Sequence, residues 1–586
     1  MRTLLLTLLY TFTISLTSIH AQSGNMENHL HPPLKNPLLL SGNFGELRSD
    51  HFHAGIDIKT QGTGGKKVYA IADGYVSRIR VSANGYGRAL YIHHPEKGLT
   101  SVYGHLKRFN KKLERFVKKS QYEQKSFEVQ LFPEKGLFPV KKGELAGLSG
   151  NSGSSDGPHL HFEIRQLSDQ KPLNPLHYSL EVVDNIPPQI FNLAVYPLGK
   201  SASVEGKRQK HFYDAVSRGR GTYQLLDQTI PEVSGRIGFG LRAYDFLDGS
   251  PNWCGLYTMK LYIDNTLMYH HQMDGFFFYE TRYINAHIDY EEKKKNNHTY
   301  QKSWLEPNNP LSIYEYLRND GIYTFTDDTL HEVTYQITDV YGNTSTLSFQ
   351  VQSRVDLPDS LKQEQKTKGR MMPYNEANTF KKSHLKLNFP KKAFYDTIHF
   401  EYSRTEAPVR QGVFYSDLHH IHNEHTPVHK RYTLSIKPEG LPGMLRNKAF
   451  IALVNGEDEP YVYQGGEFVN GFIATEVRKF GKYAVLVDRE EPSISPLVLN
   501  DQQLSFHISD ELSGIQSYNG YINGEWVLFE YDPKNDRLTY HIDPERLEEA
   551  ESYELELYVS DPLNNIATYH DTLTINRPDT SSNQME

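Results

Sequence analysis

The chain of 586 residues has very little cysteine, few methionines and almost no charge imbalance. Its single cysteine, Cys254, excludes an internal disulfide bond. The net charge of −8 is small for this length and argues against a nucleic-acid-binding protein, because such proteins concentrate positive charge. Beyond the N-terminal segment, no apolar run is long enough to predict a membrane span.

The N-terminal segment has the pattern of a secretory signal peptide. Residues 1–21 read MRTLLLTLLYTFTISLTSIHA, with one arginine before an apolar run and a small residue at its end. The pattern predicts cleavage before Gln22 and an exported protein, located in the periplasm, at the cell surface or in the medium. A membrane anchor is the alternative, but threonine and serine interrupt the run. An exported chain without disulfides depends on hydrophobic cores or on metal for its stability.

The remaining sequence predicts a mainly β protein. It contains 39 tyrosines and 29 phenylalanines, residues that favour strands. Short strands and glycine turns predict a small antiparallel domain, and a weak repeat predicts two similar Ig-like β-sandwiches after it. The repeat pairs LRAYDFLDG with LSFHISDELSG, and HEVTYQITDVYGN with YELELYVSDPLNN. The predicted domains are 36–180, 183–355 (Ig-like), 380–487 (strand-rich) and 488–577 (Ig-like).

One helix interrupts the first predicted domain, as an insertion at 107–130. Its apolar residues recur at helical spacing, and its other face is rich in lysine and arginine. This basic face could contact an anionic polymer or simply be solvated. The insertion could also wall or cap a groove.

Histidines and one aspartate recur in two segments of the first domain. In HFHAGIDIKT, His53 and Asp57 are separated by small residues that allow their side chains to converge. In GPHLHFEIR, His159 and His161 lie two apart on a predicted strand, so both imidazoles point to one face. A third segment, VYGHL, places His105 at the end of another strand. One carboxylate with two imidazoles suits a zinc ion that keeps an open position for water.

The order HAGID, YGHL and GPHLHFEI resembles the LytM/lysostaphin-type zinc peptidoglycan endopeptidases, over residues 42–166. The resemblance implies that His53, Asp57 and His161 bind one Zn²⁺ per chain. It also implies that His105 and His159 are catalytic histidines without metal, one as the base and the other orienting water or stabilising an oxyanion. The implied fold is a small antiparallel β core with an open groove. His51 is an alternative ligand, because it would share the strand face of His53.

The sequence therefore predicts an exported zinc endopeptidase that cuts peptide bonds of bacterial peptidoglycan. One alternative is a catalytically silent, wall-binding regulator of another hydrolase, although all five residues of the motif are present. A second is an adhesive role of the sandwiches, which could also bind a partner protein. A histidine cluster at 419–429 could be a second metal site or a polar hairpin tip.

Overall fold

The computed structural model describes residues 30–35, 37–178, 180–355, 368–407, 413–456, 460–547 and 550–574. The predicted signal peptide lies outside the described residues. Within these ranges, no helix combines the length and apolarity needed to cross a membrane. The chain is mainly β, and several β-sheet domains follow the N-terminal domain, which confirms the predicted fold class.

The N-terminal domain is built from two antiparallel sheets and one long helix. The larger sheet has the order β1-β2-β11-β6-β5-β4-β8, with β12 paired to β11 and β9 to β4; the smaller sheet has the order β3-β10-β7. The strands are Leu40–Gly42 (β1), Ile56–Lys59 (β2), Lys67–Tyr69 (β3), Gly74–Val81 (β4), Ala89–His94 (β5), Leu99–Gly104 (β6), Leu106–Phe109 (β7), Val129–Leu131 (β8), Pro139–Val140 (β9), Leu145–Ser149 (β10), His159–Gln166 (β11) and Pro172–Leu173 (β12). Helix α1 is Lys111–Gln124, and 3-10 turns lie at Pro95–Lys97 and Pro175–His177.

Strand β11 explains how this sheet combines a core with a polar site. Its side chains alternate between the two faces of the sheet. Leu160, Phe162 and Ile164 enter the hydrophobic core. The residues between them, HxHxExR from 159 to 165, share the opposite face, and the two histidines of this face line the groove. Both faces of the sheet are covered at this strand, so nearly all residues of β11 are buried.

Helix α1 is capped by Asn110, whose side chain accepts hydrogen bonds from the backbone N–H groups of Lys112 and Leu113. It buries Leu113 and Val117 against the domain core. No residue of the helix lines the groove. Helix α1 therefore does not form a wall of the groove. Its outer side instead packs against the C-terminal unit.

The strands of the second unit form one hydrogen-bonded network of twelve strands, in which β17 pairs with strands on both sides of a bend. The Ig-like sandwich expected over 183–355 stays a prediction. Strand β16 pairs with β24 in parallel, and so does β17. Gly235 has a φ of +73° inside β17, and the strand pairs with β14 and β24 before this glycine and with β13 beyond it. The strands are Gln189–Pro197 (β13), Ser203–Val204 (β14), His211–Gly219 (β15), Thr222–Leu225 (β16), Glu232–Tyr244 (β17), Thr258–Ile263 (β18), Thr266–Gln272 (β19), Gln301–Lys302 (β20), Tyr314–Leu317 (β21), Tyr323–Phe325 (β22), Leu330–Thr338 (β23) and Thr344–Ser353 (β24). Its helices are Ile284–His287 (α2) and Tyr290–Asn296 (α3), with 3-10 turns at Leu226–Gln228, Thr281–Tyr283 and Asn319–Gly321.

The third unit contains two five-stranded sheets and a separate strand pair. Its strands are Arg370–Met372 (β25), Asn378–Lys381 (β26), Leu385–Phe389 (β27), Ile398–Phe400 (β28), Tyr402–Thr405 (β29), Leu418–Ile421 (β30), Tyr432–Ile436 (β31), Ala449–Leu453 (β32), Val462–Tyr463 (β33), Glu467–Val469 (β34), Phe472–Val477 (β35) and Gly481–Val487 (β36), with a 3-10 helix at Gly443–Lys448. In the histidine cluster, His419 is buried against Tyr402 while His422 follows the strand with a φ of +53°. Among the described residues, these histidines form no group with metal-ligand spacing.

The C-terminal unit has two four-stranded sheets. Its strands are Ser493–Leu499 (β37), Gln503–Ser509 (β38), Ser517–Ile522 (β39), Glu525–Val527 (β40), Glu530–Asp532 (β41), Arg537–His541 (β42), Tyr553–Ser560 (β43) and Ile566–Leu573 (β44). This unit folds back onto the N-terminal domain. Trp526 and Leu528 join the N-terminal core, and Trp526 packs edge-on against Tyr122 of α1 at 5.4 Å. Lys118 Nζ of α1 lies 2.6 Å from Asp543 Oδ2. Part of the basic face of the helix therefore forms an ion pair with the C-terminal unit of the same chain.

The second unit also contacts the N-terminal domain, through the loop 246–255. Leu247 and Cys254 of this loop belong to the N-terminal core. Ser250 Oγ donates a hydrogen bond to the carbonyl of Leu40 at 2.6 Å. The Asn43 side chain makes two hydrogen bonds with the backbone of Gly255, of 2.8 and 2.7 Å. Strand β1 is thus held between β2 and a loop from another domain.

Candidate metal centre and active site

Three side chains predicted to bind metal converge in the groove. Asp57 on β2 is paired with His161 on β11 in the sheet register. Asp57 Oδ1 lies 2.9 Å from His161 Nδ1 and 3.1 Å from His53 Nε2. The two nitrogens are 3.1 Å apart. All three residues are buried, so the structure brings together one carboxylate oxygen and two imidazole nitrogens.

The hydrogen bonds behind these atoms leave the right nitrogens free to bind a metal. His53 Nδ1 lies 2.8 Å from the carbonyl of Asn43 and must donate its proton there. His161 Nε2 lies 2.9 Å from Glu163 Oε1 and donates in the same way. His53 Nε2 and His161 Nδ1 are therefore the nitrogens that face Asp57 and that would offer lone pairs to a metal, as when imidazole ligands are oriented by outer partners.

The electrostatics of the three groups also fit a cation. Burial lowers the pKa of His53, which keeps its imidazole neutral. Burial would raise the pKa of Asp57, but its histidine neighbours hold it well below its ordinary value. Burial would lower the pKa of His161, but hydrogen bonds to Asp57 and Glu163 outweigh it and raise the pKa to about 9. In the absence of metal, a proton on His161 takes the position that a cation would occupy.

Arg48 and Glu163 complete the surroundings of the three predicted metal ligands. The Arg48 guanidinium donates to Asp57 Oδ2 at 2.8 Å, which leaves Oδ1 for the histidines. Glu163 is fully buried and accepts hydrogen bonds from His161, Arg165 and the Tyr86 hydroxyl. Burial would raise its pKa, but Arg165 and His161 lower it to about 2, so the carboxylate is ionised.

His105 and His159 lie beside this centre. Their rings are 4.8 Å apart, and His159 Nε2 is 3.5 Å from Asp57 Oδ1. His105 Nδ1 lies 2.8 Å from the carbonyl of Ser152, and His159 Nδ1 lies 2.8 Å from that of Gly157. Carbonyl oxygens only accept, so both Nδ1 atoms donate and each Nε2 is the nitrogen left for the groove. Burial lowers the pKa of His105 to about 3, which keeps this imidazole neutral.

The backbone around His105 is shaped to present it. His105 has a φ of +56°, an uncommon conformation for a residue with a side chain, and it separates β6 from β7. The loop that accepts its Nδ1 proton approaches very closely at Gly153, where φ is +73° and a Cβ would lie 2.3 Å from the carbonyl of Gly85. Glycine at this position allows the loop to bring the Ser152 carbonyl to the histidine.

The groove around the five residues has a volume of about 770 Å³. His51 lies at its rim, with 52% of its side chain exposed and its Nδ1 bound to Asp50. It is not part of the ligand group, although the sequence left it as an alternative. The loop 154–158 forms another wall, and Asn252 of the second unit also lines the groove.

Sequence reasoning missed the residues that support the ligands. Glu163 could have been found, because it lies two residues beyond His161 on the same strand face. Arg48 and Tyr86 come from loops and could not be placed by strand periodicity. The carbonyls of Asn43 and Ser152 carry no side-chain signal at all.

Comparisons with known proteins agree with this geometry. Residues 51–122 match the family profile described as peptidase family M23, a segment that contains His53, Asp57 and His105. His159 and His161 lie beyond the matched segment. Residues 369–488 match the profile of a Zu5-like domain.

Similar proteins match the N-terminal part of the chain. An "Uncharacterized metalloprotease" of Haemophilus influenzae is 36% identical over 129 residues, which are 22% of this chain and 21% of that protein. A "DD-carboxypeptidase/endopeptidase Mpg" of Neisseria meningitidis is 33% identical over 135 residues, or 23% and 24% of the two chains. The chain therefore spans less than a quarter of the length of these relatives.

Solved structures with similarity include a "zinc containing peptidase" of Vibrio cholerae. It is 26% identical, over 25% of this chain and 37% of that one, with a TM-score of 0.18. The catalytic domain of a prophage-encoded M23 protein of Enterococcus faecalis is 27% identical, over 25% and 97% of the two chains, with a TM-score of 0.19.

The family match and the site define the N-terminal domain as a metallopeptidase domain. Residues 51–122 thus carry a match to peptidase family M23, in agreement with the resemblance that the motifs predicted. The roles of the individual residues as metal ligands or catalytic groups stay predictions.

Proposed function

We propose that this protein is an exported zinc-dependent endopeptidase that hydrolyses peptide bonds in bacterial cell-wall peptidoglycan. The observation that carries the proposal is the convergence of His53, Asp57 and His161 with His105 and His159 in one open groove. The similarity to a protein named DD-carboxypeptidase/endopeptidase supports a substrate of this chemistry. The predicted signal peptide supports export.

The ligand set fits zinc better than other cations. Two neutral imidazole nitrogens and one carboxylate oxygen suit Zn²⁺, whereas calcium and magnesium prefer oxygen ligands alone. A zinc ion bound by three protein ligands would polarise a carbonyl and make water more acidic. Glu163 and the Asn43 carbonyl would hold the two imidazoles in the tautomers that this requires.

The two remaining histidines are placed to move protons. His105 and His159 both line the groove with Nδ1 bound to a carbonyl, so the Nε2 of a neutral ring can accept a proton from a water molecule there. The carbonyls of Ser152 and Gly157 stabilise the imidazolium that results, because each keeps its hydrogen bond from Nδ1. After accepting a proton, the same imidazole can donate it to the departing amine.

The openness of the site suits a polymeric substrate. The groove is bounded by the loop 154–158 and by Asn252, which belong to different domains. A branched peptide attached to a glycan could lie across such a groove, which has a volume of about 770 Å³. The second unit would then contribute to substrate binding as well as to stability.

The test is hydrolysis of purified peptidoglycan by the zinc-loaded, full-length protein. We expect new free amino groups and soluble peptides or uncross-linked glycan strands, with no new reducing sugar ends. His161→Ala should abolish both the bound zinc and the release of peptides. His51→Ala is the matched control for zinc, since this neighbouring histidine faces Asp50, and it should retain one zinc ion per chain.

Two results would contradict the proposal. Zinc-loaded protein that binds peptidoglycan without releasing amino groups would favour the silent, wall-binding regulator. Peptide release that persists in His161→Ala would exclude the zinc mechanism.

A further inference from the structure

Two groups of buried aspartates occur outside the peptidase groove, one in each unit that carries the internal repeat. The first aspartate cluster is Asp184, Asp245 and Asp339. The second aspartate cluster is Asp488, Asp510 and Asp561. In each cluster, the three residues offer oxygens that all lie within 4.8 Å of one another.

The two clusters are built in the same way. Asp245 follows β17 and Asp339 follows β23, just as Asp510 follows β38 and Asp561 follows β43. The remaining member of each cluster, Asp184 or Asp488, lies on the segment that leads into the unit. The clusters therefore form at the same end of two similar arrangements of strands, where the preceding domain joins.

The hydrogen bonds that orient the clusters also match. Asn343 donates to Asp339 through its backbone and its Nδ2, at 2.9 and 2.7 Å. Asn565 makes the same pair of bonds to Asp561, at 2.8 and 2.6 Å. Each asparagine also donates to the carbonyl of the entry aspartate, Asp184 or Asp488.

The clusters differ at one position. In the second cluster, Ser513 Oγ lies 2.6 Å from Asp488 Oδ2 and 3.2 Å from Asp561 Oδ2, so a hydroxyl proton sits among the carboxylates. The equivalent residue of the first cluster, three positions after Asp245, is Asp248. Its carboxylate turns to the backbone and side chain of Asn185, and it adds a negative charge nearby.

The first cluster is left with unsatisfied negative charge. Asp245 is 3% exposed and Asp184 is 8% exposed. Asp245 Oδ1 and Asp184 Oδ2 are buried without a hydrogen-bond partner among the described residues. In the second cluster, no described carboxylate oxygen is buried in this way. Burial and the neighbouring carboxylates raise the pKa of Asp184 to about 7 and that of Asp245 well above its ordinary value. Buried carboxylates of this kind need a cation or a proton.

We propose that the first aspartate cluster binds one calcium ion. Its ligand set consists of oxygens alone, which suits a hard divalent cation and does not suit zinc. Calcium tolerates irregular arrangements of carboxylates and water, whereas magnesium requires a nearly octahedral one. The second cluster needs no ion, because Ser513 supplies a proton donor to it.

Calcium at this position would fasten the second unit to the peptidase domain. Asp245 pairs with Cys254 through two backbone hydrogen bonds, of 3.0 and 2.9 Å, and these close the loop 246–255. This loop holds β1 through Ser250 and enters the N-terminal core through Leu247. The ion would join the base of this loop to the linker that contains Asp184. The proposal concerns a site outside the groove and does not depend on peptidoglycan hydrolysis.

The test is calcium binding by the full-length protein with its zinc site saturated. Titration with CaCl₂ in a calorimeter should show one site per chain, with a dissociation constant of about 10⁻⁴–10⁻³ M, as in extracellular calcium modules. Calcium should also raise the midpoint of thermal unfolding, because it binds the folded state alone. Asp245→Asn should abolish both effects. Asp510→Asn, the matched substitution in the second cluster, should leave both intact.

Two outcomes would overturn the proposal, and the first needs only the wild-type protein. If the wild-type protein shows neither binding heat nor a thermal shift with calcium, the first cluster shares a proton between Asp184 and Asp339 instead. If folded Asp245→Asn binds calcium as tightly as the wild type, the ion lies elsewhere. Circular dichroism of each variant establishes whether it is folded before titration.

Discussion

Replacing Glu163 by glutamine tests whether the outer partner of His161 controls metal binding. The buried carboxylate accepts the Nε2 proton of His161 at 2.9 Å and thereby directs Nδ1 to the metal position. Glutamine keeps the size of the side chain but removes its negative charge, which makes His161 a weaker ligand. Substitutions of such partners typically reduce metal affinity about 10–100-fold, or about 1.4–2.7 kcal/mol.

The structure predicts a second effect of the same change. Arg165 is 7% exposed and donates to Glu163 Oε2 at 2.6 Å, so glutamine would leave a buried guanidinium without its counter-ion. Breaking a buried ion pair in this way costs about 3–5 kcal/mol of folding stability. Glu163→Asp keeps the charge near Arg165 but shortens the reach to His161. It should therefore restore stability more than it restores zinc affinity.

The assay is competition for zinc between the folded protein and a fluorescent chelator at fixed pH, with thermal unfolding measured in parallel. Glu114→Gln is the control, because it removes a carboxylate that binds Arg88 in the same domain and contacts no metal ligand. We expect the control to bind zinc as the wild type does. A zinc dissociation constant for Glu163→Gln within twofold of the wild type would refute the reasoning.

Three further predictions concern the site and the domain contacts. His105→Ala and His159→Ala should each retain zinc but lower the rate of hydrolysis by about 10²–10⁴-fold, and zinc loss in either variant would show that it is a ligand. Lowering the pH below about 9, the metal-free pKa of His161, should weaken the apparent zinc affinity by up to about tenfold per pH unit, because a proton and the metal compete for Nδ1. A zinc affinity that does not change between pH 6 and 8 would contradict this. Trp526→Ala should destabilise the packing of the C-terminal unit on α1 by about 3–5 kcal/mol, measured by denaturant unfolding and limited proteolysis, and unchanged protection of the interface would contradict it.

The parts of the site that the sequence predicted are those encoded by local patterns. His159 and His161 share a face because strands alternate their side chains, and the short HAGID segment keeps His53 near Asp57. The cross-strand pairing of Asp57 with His161 depends on the sheet register, which no local pattern reveals. It was reached only through resemblance to a family.

The fold was predictable in its strand content and in the position of α1, but less so in its topology. The observed helix, Lys111–Gln124, lies inside the predicted insertion because an asparagine cap and apolar spacing mark it. The parallel pairing in the second unit was missed, since it joins strands more than a hundred residues apart. The packing of Trp526 against α1 was missed for the same reason. The amphipathic pattern of a helix predicts that one face is buried, but not which segment covers it.

The return of the C-terminal unit to the first domain has a consequence for how the polypeptide matures. Arg88 pairs with Glu530 across 442 positions of sequence, and Lys534 Nζ donates to the carbonyls of Asn151 and Ser155 in the loop beside His105 and His159. A ribosome finishes the peptidase strands long before it makes these late contacts, and closing so distant a contact is entropically slow. Until the C-terminal unit has folded, the loop next to the histidines therefore lacks the hydrogen bonds from Lys534.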